Sequence, residues 1–317
     1  MASAERRRDR RRAGILLAII ALLLAALVSV PDRFPDPFGL ALVIEAILPW
    51  VGIPIALVLI SALARRRWLG TLVALAAVIA WSVAFVPRAL PLTVPRAAAA
   101  EASAMTRLSV ISQNLHGSEG DPEAAAHAAL AAAPDLIAFQ EIDGASRDAI
   151  DAVLGPHYPY VSRVGSVSLW SIHPITADEP LDLGLGWNRA LRATVAAPGG
   201  EVEVYVVHAA SVRIGDHGPR DRMLTELTDL IRSDDSPRIL ALGDFNAGSD
   251  DRALAPLIDL LVEPRQSAGG FGFTWPAKFP VVRLDHVFVR GLTATSVETE
   301  RPGASDHLGI SAEFSLS

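Results

Sequence analysis

The stretch Ile239-Leu240-Ala241-Leu242-Gly243-Asp244-Phe245-Asn246 places four apolar residues directly before a polar turn. A short apolar run that ends at a glycine predicts a strand buried on both faces. Asp244 and Asn246 follow this strand, and polar residues at strand ends are where a sheet presents a site. Gly-Asp-x-Asn is also a common turn. Other segments must therefore decide between a turn and a site.

Five further segments along the chain repeat this arrangement of an apolar strand with a polar residue at its end. Each of them alone reads as an ordinary turn or a solvated strand end. Six in one sequence favour a shared site instead. The polar residues of these five segments are Asn114, Glu141, His208, Asp285 and the pair Asp306-His307.

Helical patterns lie between the predicted strands, so the second half of the chain is of mixed α and β class. Asp121 predicts the N-cap of an Ala-rich helix over Pro122–Ala133, with proline at the first position. An amphipathic helix is predicted over Asp221–Ile231. The predicted strands cover residues 108–112, 136–139, 202–207, 239–242, 284–289 and 308–314.

The residue types at the strand ends are chemically coherent. Carboxylate and amide oxygens are the ligands that Mg²⁺ prefers. Two histidines, His208 and His307, can bind a phosphoryl group or move a proton, and Asp285 is a candidate to fix the tautomer of His307. The set indicates metal-assisted hydrolysis of a phosphoester. The chain has no cysteine, which excludes a disulfide scaffold, a cysteine nucleophile and a thiolate metal site.

Together the six segments resemble the endonuclease/exonuclease/phosphatase superfamily of deoxyribonucleases, repair nucleases, neutral sphingomyelinases and inositol polyphosphate phosphatases. Leu242–Asn246 and Ser305–His307 are the most specific segments, and Pro134–Glu141 is nearly as specific. The resemblance covers about residues 107–316. It implies an α/β four-layer sandwich, in which two packed mixed β-sheets are flanked by helices.

The resemblance also implies roles for individual residues. Glu141 would be the principal Mg²⁺ ligand, with Mn²⁺ as a substitute metal. Asp244 would orient or activate the attacking water, and either Asp244 or His307 would take its proton. The implied metal ligands are Asn114, Glu141 and Asp306. The implied substrate-binding residues are Asn114, His208 and Asn246. The implied catalytic residues are His208, Asp244, Asn246, Asp285 and His307.

The sequence departs from the family pattern in its middle. Ser171-Ile172-His173-Pro174 stands where members often have Ser-Arg-x-Pro, which puts a substrate contact there in doubt. Arg220 fits a frequent family arginine or a structural ion pair. His116 lies two residues after Asn114, and the sequence leaves open whether its side chain faces the site. Trp275 and His286 are interpreted as packing residues.

The first half of the chain contains three long apolar runs, at residues 14–30, 38–64 and 69–86. A membrane-spanning helix needs about 20 apolar residues, with a range of about 17–25. Three transmembrane helices are therefore expected, the second kinked by Pro49, Gly52 and Pro54. The predicted organisation is a basic N-terminus at 1–13, a membrane region at 14–86, a linker at 87–106 and a catalytic domain at 107–317.

Charge predicts the orientation of these helices. Residues 1–106 hold 12 Arg against 6 Asp and Glu, whereas residues 107–317 hold 16 Lys and Arg against 29 Asp and Glu. Six arginines precede the first run and Arg65–Arg67 separate the second from the third, so the positive-inside rule predicts a cytoplasmic N-terminus and an extracytoplasmic catalytic domain. Alternatively, residues 6–30 are a secretory signal peptide, and Ala102–Ala104 resembles a late cleavage site.

The resulting hypothesis is a multi-pass cell-membrane protein that hydrolyses a phosphodiester with Mg²⁺. Its substrate would be a nucleic acid or a phospholipid headgroup, its other partner is the lipid bilayer, and no protein partner is expected. The acidic second half argues against tight duplex binding. Two alternatives for the catalytic domain stay open, a catalytically silent tethered scaffold and an inositol-phosphate-type phosphomonoesterase. A third alternative is a transport role through Glu45, although an intramembrane carboxylate of this kind is ordinarily interpreted as a residue near a helix end.

Overall fold

The computed structural model describes residues 2–33, 39–94, 107–213 and 215–316. The chain divides into two compact units, Met1–Ala89 and Leu90–Ser317. The expected cleavage site at 102–104 and most of the linker expected at 87–106 lie outside the described residues.

The first unit, called the helical unit below, consists of helices and short turns. Its α-helices are α1 Ala2–Ser29, α2 Leu40–Ala46, α3 Gly52–Ala64 and α4 Trp68–Ala89. Short 3-10 turns cover Pro31–Arg33 and Leu48–Val51. Phe38, the predicted start of the second apolar run, lies outside the described residues.

Two of these helices are long and apolar enough to cross a membrane, over Arg11–Ser29 and Trp68–Ala89. The second apolar run is broken: Leu40–Ala46 and Leu48–Ala64 meet at an angle of 72°. The break coincides with Pro49 and Gly52, as expected for residues that interrupt a helix. By length and composition, the described residues contain two helices that could cross a membrane, or three candidate spans if the bent pair counts as one. Glu45 is the penultimate residue of α2 and is buried.

Small residues are numerous in the interior of the helical unit, beside larger buried side chains such as those of Ile55 and Phe85. Ala21, Ala62, Ala74 and Ala77 are fully buried. A side chain at Gly70 would lie 3.2 Å from Cβ of Leu17 and 3.4 Å from Cβ of Ala62, so this glycine lets α4 approach α1 and α3 closely. Close backbone approach at small residues is typical of helices that pack in a membrane.

The second unit, called the catalytic unit below, contains two mixed β-sheets. The six-stranded sheet has the order β10-β11-β1-β2-β4-β3, and the five-stranded sheet has the order β5-β6-β7-β8-β9. The strands of the first sheet are β1 Arg107–Asn114, β2 Leu136–Gln140, β3 Tyr160–Val164, β4 Val167–Ser171, β10 Thr293–Glu300 and β11 Gly309–Ser315. Those of the second are β5 Ile175–Leu181, β6 Ala190–Ala197, β7 Gly200–His208, β8 Ile239–Asp244 and β9 Asp285–Arg290.

The two sheets pack face to face, and helices cover their outer faces. Val110 of β1, Leu169 of β4, Val204 of β7 and Leu240 of β8 belong to one buried cluster between the sheets. The helices α5 Pro122–Ala132 and α6 Gly144–Leu154 pack on the first sheet, and α7 Gly218–Ser233 and α8 Ala255–Ile258 pack on the second. This arrangement confirms the four-layer α/β sandwich.

The six predicted strands and both predicted helices are present, with ends shifted by a few residues. Asp121 caps α5 as expected, because its Oδ1 accepts a hydrogen bond of 3.2 Å from the amide of Ala124. The elements that the pattern did not predict include α6 and β5. β5 is an exposed edge strand that contains Asp178, Glu179 and Pro180, so it carries no hydrophobic alternation.

Candidate active site

Three adjacent strands of the second sheet present polar side chains at one level. His208 ends β7, and the parallel pairing of β7 with β8 places it opposite Asp244. The antiparallel pairing of β8 with β9 then places Asp244 opposite Asp285. All three residues are buried, Asp244 and Asp285 to within 1% of full burial. Sheet register alone therefore brings these three predicted residues together.

The first sheet delivers Asn114 and Glu141 to the same place. Asn114 ends β1 and Glu141 follows the parallel neighbour β2, where its φ of 55° turns the chain sharply. Nδ2 of Asn114 donates to Oε1 of Glu141 at 3.0 Å and to Oδ2 of Asp244 at 2.9 Å. One amide group thus ties the polar ends of both sheets into a single site.

Glu141 is held as a carboxylate. Its strongest partner is His208, whose Nε2 lies 3.3 Å from Oε1. This hydrogen bond, with that from Asn114, outweighs the effect of partial burial and lowers the pKa of Glu141 to about 2. Glu141 is one-third exposed, so it is both ionised and accessible at neutral pH.

Arg189, at the start of β6, lies against His208. One guanidinium nitrogen is 2.8 Å from Nδ1 of His208, and the hydroxyl of Ser166 is 3.2 Å from the same atom. The same guanidinium nitrogen is 2.7 Å from Nε2 of His208, so Arg189 contacts both nitrogens of the ring. The Arg189 guanidinium also lies 5.1 Å from the ring of the exposed Trp187, a cation–π contact.

His307 pairs with Asp285, as expected, through a contact of 2.8 Å from Nδ1 to Oδ2. Burial by itself would lower the pKa of His307, but attraction to Asp285 and the hydrogen bond between them raise it to about 10. Burial, then repulsion from Asp285, raises the pKa of Asp244. His307 is therefore a cation at neutral pH, and Asp244 is the carboxyl group of the site best placed to hold a proton.

Asp306 lies at the rim of the site, with a half-exposed side chain. One of its carboxylate oxygens is 2.7 Å from Nδ1 of His116, and the other accepts a hydrogen bond of 3.2 Å from Nε1 of Trp275. His116 thus faces Asp306, and Trp275 is partly exposed and donates to the same carboxylate. The part of Asp306 as a metal ligand stays a prediction.

Asn246 lies in a loop whose backbone carbonyls accept hydrogen bonds from the buried side chains of Arg220 and His286. Its backbone has a φ of 48°, and its carbonyl accepts a hydrogen bond of 3.0 Å from Arg220. The next carbonyl, of Ala247, lies 2.8 Å from Nε2 of His286. Nδ1 of His286 is 2.5 Å from Glu263, so both ring nitrogens have polar partners. Arg220 and His286 therefore have structural partners.

Sequence reasoning missed Arg189. The family pattern directed attention to position 172, where isoleucine replaces the expected arginine. The structure provides a cation from the start of β6 instead, beside His208. A signal that could have found it is Trp187-Asn188-Arg189, a polar and aromatic segment directly before an apolar strand.

The arrangement fits a divalent cation. Ligand atoms of Glu141, His208 and Asp244 lie within 4.8 Å of one another, as do those of Asp244, Asp285 and His307. Oδ1 of Asp285 is buried without a hydrogen-bond partner among the described residues, and an orphaned carboxylate oxygen in a site of this kind matches a cation or its water.

This fold and site define a class of enzyme, the four-layer phosphoric ester hydrolases that use a metal ion. The profile of the endonuclease/exonuclease/phosphatase family matches residues 111–307. The chain belongs to this family and is an enzyme of that class. No curated protein matches the sequence.

Several solved structures share the fold. TDP2 of D. rerio, complexed with a single-stranded DNA product, is 18% identical, with a TM-score of 0.53 over 66% of this chain and 98% of that chain. Sphingomyelinase C from Streptomyces griseocarneus is 19% identical, with a TM-score of 0.51 over 65% and 99% of the two chains. Beta toxin from Staphylococcus aureus, with bound magnesium ions, is 17% identical, with a TM-score of 0.51 over 66% and 100%.

Proposed function

We propose that the protein is a membrane-anchored phosphodiesterase that depends on Mg²⁺ and attacks its substrate with water. The observation that carries the proposal is the convergence of both sheets on one polar centre, tied together by Asn114. Sphingomyelinase C and TDP2 support the two substrate classes, a phospholipid headgroup and a nucleic acid.

The charge of each residue in the site determines its proposed role in binding the phosphate, stabilising the transition state or activating water. Arg189, whose guanidinium lies against His208, supplies positive charge to a phosphate oxygen, and His208 contacts the phosphate beside it. Nδ2 of Asn246 donates to the carbonyl of Ala209 at 3.0 Å and to Asp244 at 3.2 Å, so Asn246 binds the phosphate by exchanging one of these bonds. His307, charged and oriented by Asp285, stabilises negative charge that develops on the phosphoryl oxygens. Asp244, whose pKa is raised, orients the attacking water and accepts its proton.

Glu141 would hold the metal, with Asn114 beside it and Asp306 at the rim. When bound, Mg²⁺ supplies Lewis-acid stabilisation of the phosphoryl group. The ionised state of Glu141 suits this part, because Mg²⁺ is usually bound through one or two carboxylates. Beta toxin, a protein of the same fold, has bound magnesium ions.

The rim supports a substrate with an apolar or flat part. Trp187, Trp275 and Phe279 are exposed by 57%, 38% and 71%. Aromatic rings at the edge of a phosphate site stack on nucleobases or contact a lipid surface. These side chains favour a phosphodiester that bears a base or a lipid over an inositol phosphate.

Membrane anchoring rests on the reversed polarity of the helical unit. Leu22, Leu57, Ile79 and Val83 are each exposed by 59% or more, on helices that bury several alanines and Gly70 where they meet. Arg11, Arg66 and Arg67 line one cavity, so both basic clusters lie at the same end of this unit. The positive-inside rule then puts that end in the cytoplasm and the catalytic unit outside.

Hydrolysis with purified full-length protein tests the activity. Wild type is expected to hydrolyse bis(p-nitrophenyl) phosphate with Mg²⁺ or Mn²⁺ and to lose activity with EDTA. His307→Gln is expected to lower kcat by roughly 10²–10³-fold. His173→Gln is the matched control, because His173 pairs with Asp135 at 3.0 Å outside the site. Equal activity in the two variants, or activity that survives EDTA, contradicts the proposal.

The absence of cysteine makes the orientation easy to test. A membrane-impermeant maleimide applied to intact cells is expected to label Glu201→Cys in the catalytic unit. Arg65→Cys, between the helices, is expected to react only after permeabilisation. The opposite labelling pattern reverses the orientation, and labelling of neither variant before permeabilisation places both on the inside. Phosphatidylcholine, sphingomyelin and single-stranded DNA, compared as substrates, then distinguish the lipid from the nucleic-acid class.

A further inference from the structure

A cavity of about 370 Å³ lies in the helical unit, and its described lining contains none of the residues of the catalytic centre. It is formed by residues 11–15 near the middle of α1 and by the turn between α3 and α4. Its described lining comprises Arg11, Gly14, Ile15, Arg66, Arg67, Trp68 and Leu69. Three of these residues are cationic and none is acidic, so the cavity concentrates positive charge.

Arg67 carries an unsatisfied donor at this cavity. Its backbone is fixed, because its amide donates to the carbonyl of Ala62 at 2.8 Å and its carbonyl accepts from Thr71 at 2.8 Å. Its side chain runs along Gly14 of α1, where the glycine leaves room for it. Nε of Arg67 is buried and has no hydrogen-bond partner among the described residues. A buried guanidinium donor without a partner among the described residues calls for an acceptor from outside them, such as water or a bound anion.

The start of α4 adds further donors. Since Thr71 makes the first amide bond back to Arg67, the amides of Trp68, Leu69 and Gly70 have no acceptor within the helix. The positive end of the helix dipole lies there as well. Two of these three residues line the cavity. Amides and guanidinium groups that converge in this way bind phosphate.

Apolar side chains at the same cavity indicate the source of the phosphate. Trp68 is 74% exposed, and Ile15 and Leu69 are exposed by 40% and 39%. A free phosphate ion would leave these surfaces uncovered, whereas the acyl chains of a lipid would cover them. Tryptophan is also typical of the headgroup level of a membrane protein.

We propose that this cavity binds the phosphate headgroup of an anionic phospholipid, separately from the catalytic centre. The inference rests on the membrane anchoring proposed above and is independent of the hydrolytic activity. Arg11 and Arg67 contact the headgroup, and the amides at the start of α4 complete its coordination. Basic pockets between membrane helices on the cytoplasmic side are suited to such headgroups.

The test reconstitutes the full chain in phosphatidylcholine vesicles that contain phosphatidylglycerol, and counts retained lipids by native mass spectrometry. Wild type is expected to retain phosphatidylglycerol in preference to phosphatidylcholine. Arg11→Gln with Arg67→Gln is expected to lower that retention roughly tenfold or more. Arg12→Gln with Arg65→Gln, which removes the same charge from neighbouring positions outside the described lining, is expected to change it by less than about twofold.

Each other outcome overturns the inference. Equal loss in both double variants shows that general charge attraction retains the lipid. No loss in either shows that the cavity is not a site. Release of the lipid by a comparable concentration of inorganic phosphate shows that the cavity recognises a free anion. If Arg67→Gln does not fold, as judged by helix content, the exposed Arg11→Gln alone carries the comparison against Arg12→Gln.

Two readouts on the same samples separate this inference from the proposed function. Flotation of the vesicles tests the anchor, and hydrolysis of bis(p-nitrophenyl) phosphate with Mg²⁺ tests the catalytic centre. A protein that floats and hydrolyses but shows no preference for phosphatidylglycerol overturns only the lipid site. A protein that does not float overturns the anchor and the lipid site together.

Discussion

The helical unit and the catalytic unit use apolar residues in opposite ways. Leu22 and Ile79 of the helical unit are exposed by 61% and 64%, while Ala21 and Ala77 inside it are fully buried. In the catalytic unit, Val204 and Leu240 are fully buried between the sheets. Large aliphatic residues are therefore frequent on the outside of the helical unit, whereas in the catalytic unit they form the core.

This difference shows that the solvent around a unit, water or lipid, determines which side chains become buried. Water drives apolar side chains of the catalytic unit into a core, and the polar groups that stay buried there are collected at one sheet edge. In a bilayer, apolar side chains have no reason to leave the surface, so small residues that allow close helix packing occupy the interior. A carboxylate is consequently expected to have a catalytic role in the catalytic unit and no catalytic role in the helical unit.

The largest expected effect compares the two carboxylates Glu141 and Glu45. Glu141→Gln keeps the shape of the side chain but removes the charge proposed to hold the metal, and is expected to lower kcat on bis(p-nitrophenyl) phosphate by roughly 10²–10⁴-fold. Glu45→Gln in the helical unit is expected to leave hydrolysis unchanged. Full-length protein in vesicles is the material for both measurements. A comparable loss in Glu45→Gln would break the division of labour between the units.

The next effect concerns a buried ionic cluster of the catalytic unit, Glu263 with Arg283 and His286. Burial alone would raise the pKa of Glu263, but its attraction to Arg283 and His286 lowers it to about 2. A depressed pKa stabilises the fold above the unfolded value, and this stabilisation is lost as pH falls through the folded value. Glu263→Gln is expected to cost about 3 kcal/mol in the free energy of unfolding at pH 7, because it breaks a buried pair.

Urea unfolding followed between pH 7 and pH 2 measures this effect. The gap between wild type and Glu263→Gln is expected to stay constant down to about pH 4.5 and to narrow from there toward pH 2. Glu201→Gln, an exposed carboxylate of the same unit, serves as the control and is expected to lie within about 0.5 kcal/mol of wild type. A gap independent of pH would show that Glu263 is not held ionised by its neighbours.

A matched pair of arginine substitutions sharpens the comparison of the two surfaces. Ile79 on α4 and Val262 in the catalytic unit are equally exposed, at 64% and 66%. Ile79→Arg is expected to disfavour membrane insertion by about 3 kcal/mol, because a charged side chain at the centre of a spanning helix must leave water. Val262→Arg is expected to change the unfolding free energy of the catalytic unit by less than about 0.5 kcal/mol.

Insertion is measured as the fraction of protein in the carbonate-washed membrane, and stability as the urea midpoint of hydrolytic activity. Similar tolerance of arginine at both positions would mean that Ile79 faces water. The membrane assignment of the helical unit would then be wrong, whereas the fold of the catalytic unit would be unaffected.

Local patterns in the sequence were enough to locate the strand ends that carry the polar residues of the site. Asn114, His208 and Asp244 each end an apolar run, and a strand end is a position that periodicity can locate. The pairing of His307 with Asp285 was also expected, and their contact confirms it. The exposed edge strand β5 was missed because its residues do not alternate between apolar and polar. The helix α6 was overlooked although it is amphipathic and buries Ile150 and Leu154.

The sequence by itself determined the alternation of the catalytic unit, the residues at its strand ends and the apolar lengths of the helical unit. These features depend on neighbouring residues, so composition and spacing record them. Only the tertiary structure decided that Arg189 lies against His208 and that His116 and Trp275 both bind Asp306. It also decided that Nε of Arg67 has no hydrogen-bond partner among the described residues. The direction of a side chain and its distance from residues far along the chain arise from strand order, loop conformation and packing, which no local period encodes.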